Sequence, residues 1–187
     1  MLCLQTGNYN IVINDDPTYT AGSVDNTRTY SYQYWLGEQE YQPSAKHRIG
    51  VIKHGAEIVS CIVLGTRGAT GVYEDSALLH NQSCIVAVSA FICALAVPSL
   101  QLQWQVQVDW ATCFGVHHAA KHGCYISHGE CEIACVSYVG QLLWSVGGKD
   151  IFTNGFHLYD DYVEVVDWND EMYRIEISSG ESYLVAS

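Results

Sequence analysis

Between Cys113 and Cys135 the chain gathers its densest set of reactive side chains: Cys113, His117, His118, His122, Cys124, His128, Cys131 and Cys135. Thiolate and imidazole are the ligands zinc prefers, and four in tetrahedral reach would build a structural site. The best candidates for such a site are His122, Cys124, His128 and Cys131. The same stretch offers a Cys–His nucleophile centred on Cys113, which a nearby base or positive field would have to activate. His117 is four residues on and shares a face in a strand, but lies ~13 Å away, so a base must come from elsewhere. Both chemistries compete with plain packing, because unpaired cysteine is among the most buried residue types. His117, His118 and His122, just before Gly123, are expected to be exposed.

Other catalytic signatures are missing. No phosphate-binding G-x-x-x-x-G-K-[ST], zinc-protease H-E-x-x-H, G-x-S-x-G elbow or dinucleotide fingerprint occurs. The glycine-rich run Gly65–Gly71 has one arginine and no helix signal after it, so it is expected to be a loop between strands. The carboxylate pairs Asp15-Asp16 and Asp160-Asp161 sit in or beside turns, and neighbours on a strand point to opposite faces, which disfavours acid–base pairing.

Charge supplies a second candidate. The formal net charge is −12, and residues 150–187 hold nine carboxylates against Arg174 alone. Phosphate backbones require the opposite sign, which argues against nucleic-acid binding. A solvated acidic face is one expectation and capture of a basic protein partner another, since complementary charge speeds and selects association. The candidate partner-binding residues are Asp160, Asp161, Glu164, Asp167, Trp168, Asp170 and Glu171. Trp168, beside Asp167 and Asp170, has the character of an interface anchor.

The elements that must position these groups are strands. Thirteen tyrosines and three prolines fit a β-rich chain, and 49% hydrophobic content suits a sizeable core. Motifs return with a period of about 40 residues, a length typical of structural repeats: Leu102-Gln103-Trp104-Gln105-Val106 is echoed by Leu142-Leu143-Trp144-Ser145-Val146. Ser89-Ala90, Gly129-Glu130 and Asn169-Asp170 share that spacing, as do Leu100, Gly140 and Gly180. Such a repeat is a supersecondary unit that buries its apolar face only by stacking on its neighbours.

Each repeat divides into four strands, predicted near 76–80, 83–88, 91–97 and 101–108, then 113–118, 123–128, 131–137 and 141–147, then 156–159, 161–168, 171–177 and 181–185. The expected fold is all-β, with antiparallel meander repeats of about 40 residues forming a propeller-like or stacked, sandwiched set of twisted sheets. Alignment at this period matches Cys124 to Cys84 and Cys135 to Leu95, which makes both ordinary core positions. Trp104 and Trp144 are expected to anchor their own repeats. Residues 1–75 form an irregular β part of a single domain, with strands at 9–14 and 29–36 and a hairpin at 48–64, and are a candidate degenerate fourth repeat.

Cys84-Ile85-Val86-Ala87-Val88, then Ile92-Cys93-Ala94-Leu95, a turn at Pro98-Ser99 and Leu102-Gln103-Trp104 resemble a blade of a PQQ-type β-propeller. The resemblance covers about residues 76–187 and implies blade architecture. The chain departs from the family at Ala96 and Pro98-Ser99, where an aspartate and Thr-Gly are usual, so no cofactor ligand carries over.

No segment reaches the ~18 apolar residues of a membrane-spanning helix. The start lacks a secretory signal, and the eight cysteines are expected to be reduced thiols, so the expected location is cytoplasmic. The leading expectation is a non-enzymatic interaction protein of immunity or inhibitor type that captures a basic partner. A metal-binding or Cys-dependent enzyme using Cys113–Cys135, with zinc as its cofactor, is the alternative. A structural subunit forming homo-oligomers through open sheet edges is the third.

Overall fold

The structure is a computed structural model that describes residues 1–185. Its N-terminal strands are β1 (Leu2–Thr6), β2 (Tyr9–Asp15), β3 (Tyr32–Leu36), β4 (Ala45–Lys53) and β5 (Ala56–Gly65), in sheet order β1-β2-β4-β5-β3. Three four-stranded sheets follow, each hydrogen-bonded in chain order. The first holds β6 (Ala77–His80), β7 (Ser83–Val88), β8 (Phe91–Ala96) and β9 (Leu102–Gln107). The second holds β10 (Cys113–Ala119), β11 (Cys124–Gly129), β12 (Glu132–Ser137) and β13 (Leu142–Gly147). The third holds β14 (Gly155–Leu158), β15 (Tyr162–Val166), β16 (Met172–Glu176) and β17 (Ser182–Leu184). All pairings in these three meanders are antiparallel. The all-β, repeated-meander architecture is the one the sequence period implies.

The N-terminal sheet is not a degenerate fourth meander. It has five strands, and β3 pairs parallel with β5, in the register Tyr32↔Cys61 to Leu36↔Gly65. A parallel pair needs a long crossover. Here the connection from β3 to β5 runs through β4, which pairs with β5 on its other side, and the loop after Asp15 carries the chain from β2 to β3 at the far edge. β1, which lies at the other edge, was not anticipated.

Burial along the strands gives the stacking order. All six residues of β7 are buried, as are five of six in β8, so this sheet is covered on both faces. One face packs Cys84, Val86, Val88, Cys93 and Leu95 against Ile11, Ile13, Ile49 and Val63 of the N-terminal sheet. The other packs Ile85, Ala87, Ile92 and Ala94 against Val116, Tyr125, Ala134 and Val136 of the second meander. The third meander alternates, with Val163, Val165, Tyr173 and Ile175 inward and Tyr162, Glu164 and Arg174 outward. Such alternation belongs to a sheet with one wet face. On that face Glu164 pairs with Arg174 at 2.8 Å, and the guanidinium stacks 4.1 Å from the Tyr162 ring centre.

The period is not uniform. Cys84 faces Leu95 across the first hairpin and Tyr125 faces Val136 across the second, an offset one residue greater than the tryptophan spacing. The Val97–Leu100 turn is one residue longer than its counterpart, which restores the shorter spacing at Trp104 and Trp144. A one-residue change of register turns every side chain to the other face. Cys124 therefore corresponds to Ser83 and Cys135 to Ala94, and both thiols face the third meander rather than the first. The sequence match of Cys124 to Cys84 and Cys135 to Leu95 is corrected accordingly.

The tryptophans pack on the cores of their own meanders and also join each one to the next sheet. Trp104 Nε1 donates to the Tyr138 carbonyl at 3.2 Å, and Trp144 Nε1 to that of Ile177 at 2.9 Å. Each indole covers a left-handed glycine of the next sheet, Gly140 (φ +81°) or Gly180 (φ +73°), where a Cβ would meet it at 2.6 or 2.8 Å. Leu100 holds the matching position in the first meander, also at positive φ. No tryptophan arrives there; the Tyr34 hydroxyl contacts the Leu100 carbonyl at 3.0 Å instead, which leaves room for a side chain.

Candidate functional site

One end of the stack is built by the connections that join second to third strands in each meander. Backbone bonds run across it from sheet to sheet: Gly68 N to Ala111 O, Glu130 N to Thr112 O, Phe152 N to Glu130 O and Trp168 N to Ile151 O, all 2.6–2.8 Å. Two buried carboxylates fasten the turns. Asp109 accepts from the amides of Ala111 (2.6 Å), Thr112 (3.0 Å), Cys131 (2.8 Å) and Glu132 (2.8 Å), tying the β9–β10 connection to the β11–β12 turn. Asp167 accepts from the amides of Asn169 (2.9 Å) and Glu171 (3.0 Å) and from the Tyr173 hydroxyl (3.2 Å). Bonds from several donors to one carboxylate are the strong kind and fix loop geometry.

Each of these aspartates precedes an outward tryptophan. Trp110 is 67% exposed and Trp168 64%. Trp110 Nε1 donates to Glu132 at 3.1 Å, and Glu132 also accepts from Ser145 at 2.8 Å, so this indole is held although wet. Glu130, Glu132, Asp150, Asp170 and Glu171 share this end with Lys149, which pairs with Glu171 at 3.0 Å. Asn154 and Asn169 tie Asp170 and Asp150 in place. The result is two exposed indoles among carboxylates, that of Trp110 held by Glu132 and that of Trp168 carried on a fastened turn, a surface suited to cationic side chains through charge and through the ring faces.

The predicted partner-binding residues do not form one patch. Asp167 is fully buried and engaged by amides, which removes it from any surface. Trp168, Asp170 and Glu171 lie at the hairpin end. Asp160 and Asp161 lie at the opposite end of β15, roughly 20 Å away at the rise of a strand. There Asp161 pairs with Lys121 at 2.5 Å and His122 at 3.0 Å, and these partners hold its carboxyl below its usual range. Glu164 is on the outer sheet face with Arg174.

The Cys113–Cys135 set is dispersed as well. His122 contacts Asp161, Cys124 starts β11, and His128 and Cys131 lie near that strand's other end. The neighbouring Cys135 thiol lowers the Cys124 pKa, while the Cys124 thiol and burial raise that of Cys135. Among the described residues no three His, Cys, Asp or Glu side chains converge as a metal-binding group. Cys113 is buried, contacts the Gly115 carbonyl at 3.3 Å, and burial pushes its thiol up to about 12, the reverse of an activated nucleophile.

The histidines before Gly123 are not the exposed group expected. His117 stacks on Phe156 of the third meander at 4.5 Å, as does His128 at 4.6 Å. His118 lies 4.2 Å from the His80 ring and bonds the Tyr138 hydroxyl at 2.8 Å. Alternate residues of β10 face different neighbouring sheets, which separates His117 from His118.

No family model matches the chain, and no curated protein matches it. Among solved structures it is similar to the computationally designed Ika8 protein, at 12% identity and a TM-score of 0.53, over 76% of this chain and 45% of that one. It also aligns with the WD40 domain of Neurospora crassa Pan2, at 13% identity and a TM-score of 0.47, over 60% of this chain and 36% of that one. The chain thus spans less than half the length of either. The likeness to Ika8 is one of fold, and the PQQ-type resemblance stands only as blade-like architecture. No helix among the described residues is long and apolar enough to cross a membrane.

The surface residue missed in the sequence is Trp110, which has no counterpart one repeat away. Its signal is the dipeptide: Asp109-Trp110 and Asp167-Trp168 are the two Asp-Trp pairs of the chain.

Proposed function

We propose that the protein is an interaction module that takes a basic protein partner on its hairpin end, with Trp110 and Trp168 as anchors and Glu130, Asp150 and Asp170 as the charged surround. The observation that carries this reading is the pair of exposed indoles, each set beside a buried aspartate that fixes its turn. Exposing large apolar rings costs free energy that burial elsewhere would recover, and tryptophan dominates binding where it anchors an interface. The carboxylates select a cationic partner and accelerate encounter, as in small acidic inhibitors of basic proteins.

The test is affinity capture from native lysate at low and high salt, with wild type, W110A/W168A and D160K/D161K. Basic partners should be retained by wild type and D160K/D161K, released as salt rises, and lost from W110A/W168A. Capture that survives removal of both tryptophans would reject this surface.

A further inference from the structure

The N-terminal sheet carries a polar array unrelated to the tryptophan surface. His47, on β4, is fully buried. Its Nδ1 lies 3.0 Å from Oδ1 of Asp15, the last residue of β2, and its Nε2 lies 3.4 Å from the Thr70 hydroxyl in the glycine-rich Gly65–Gly71 loop. The Asp15 contact is off the axis of the ring N–H. A second anchor, the Val72 amide, donates to Asp15 Oδ2 at 3.2 Å. His47 is the main cause that holds the Asp15 carboxyl below its ordinary range.

The orientation of Thr70 is fixed from its other side. The Ser89 amide donates to Thr70 Oγ1 at 3.0 Å, which occupies a lone pair and leaves the hydroxyl proton to point at His47 Nε2. Three separate segments thus line up carboxylate, imidazole and hydroxyl in the order used for acyl transfer. Contacts of this kind are often long or poorly aligned before substrate binds. The array borders a cavity of about 550 Å³ lined by Asp15, Pro17, Pro43, Lys46, Thr70 and Gly71. That volume is in the range of small-molecule sites, and the prolines offer apolar walls for an acyl group, while the Lys46 ammonium is engaged by the Pro17 and Tyr19 carbonyls at 3.2 and 2.8 Å.

We propose that Thr70, His47 and Asp15 form a hydrolytic site for small carboxylic esters that enter this cavity. Thr70 Oγ1 attacks the ester carbonyl carbon while His47 Nε2 takes the hydroxyl proton. Collapse of the tetrahedral adduct breaks the bond to the leaving alkoxide, which receives that proton and departs as alcohol. Water then adds to the threonyl ester with His47 again as base, and the acid leaves as Thr70 recovers its proton. Asp15, 3.0 Å from Nδ1, is the positioning residue, and a small rotation onto the N–H axis lets it keep the Nδ1 proton on the far side of the ring.

The experiment pairs p-nitrophenyl acetate hydrolysis with intact-mass detection of a fluorophosphonate adduct, on the full chain. Wild type and T70S should hydrolyse the ester and gain one phosphonyl group that maps to residue 70. T70V should lose the adduct and most of the rate, by up to about 10⁶-fold, the cost of removing a triad nucleophile, with an unchanged circular dichroism spectrum. If wild type takes up no adduct at residue 70, or if T70V hydrolyses as fast as wild type, the array is a structural clasp and the proposal is overturned. Because T70S keeps a hydroxyl for the clasp and T70V does not, a folding loss in T70V is separable: adduct formation by wild type and T70S alone then decides.

Discussion

Acid should weaken the contact between the second and third meanders, and His128 should account for a measurable part of the loss. Its Nε2 is buried without a hydrogen-bond partner, and its ring is enclosed by Phe114 and Phe156. Desolvation, then the neighbouring His117, depress its pKa from 6.5 to about 4. The folded state therefore keeps His128 neutral where the unfolded chain takes up a proton. Its contribution is fully present above pH 6.5 and is lost as pH falls toward 4, at about 1.4 kcal/mol per pH unit. Between pH 7 and pH 5 that amounts to about 2 kcal/mol, a large share of a typical domain's stability. His117, also depressed by burial, acts with the same sign. The lowered carboxylates Asp15, Asp161 and Glu164 titrate at more acid pH, below this window. Urea unfolding followed by circular dichroism at pH 7 and pH 5 gives the fall for wild type and for His128→Leu. The variant should lose about 2 kcal/mol less over that interval, whatever its absolute stability. Equal losses in the two proteins would refute the assignment of acid sensitivity to His128.

Three further outcomes follow from the same geometry. Gly140→Ala forces a Cβ to within 2.6 Å of the Trp104 indole at a left-handed backbone position, and should cost about 2–4 kcal/mol in chemical denaturation, while Gly7→Ala, with open space around it, should cost less. Asp109→Ala leaves four amides without their acceptor and should destabilise by about 3 kcal/mol, with loss of protection at the Cys131 and Glu132 amides in hydrogen exchange. In the folded protein at pH 8, a disulfide reagent should modify the exposed Cys3 and the partly exposed Cys131 but leave Cys84, Cys93 and Cys113 untouched until denaturant is added; rapid labelling of Cys113 would contradict its burial.

Much of the strand pattern was legible. Periodic tryptophans, turn residues and apolar runs locate the twelve strands of the three meanders to within a few residues. Two features defeated the repeat alignment. The extra residue in the Val97–Leu100 turn is silent in a comparison at fixed period, yet it reverses the faces of Cys124 and Cys135. The parallel β3–β5 pair depends on a contact between segments far apart in sequence, Tyr32 with Cys61, that no local periodicity encodes. The candidate surfaces fared differently from one another. An acidic C-terminal region was visible as composition, but strand direction places Asp160 and Asp161 at one end and Asp170 and Glu171 at the other.

The series of β meanders is written locally in the chain, because side-chain alternation and turn chemistry act over a few residues and leave a record there. Which polar residues meet is set by how the sheets pack. Asp109 reaches Cys131 and Glu132 across a sheet boundary, Trp104 covers Gly140, and His47 lies between Asp15 and Thr70. Those contacts depend on how successive sheets pack and on single-residue register. The two Asp-Trp pairs mark the difference: Asp109 is buried where amides of another turn converge on it and Asp167 where amides of its own hairpin do, while the tryptophan beside each faces solvent.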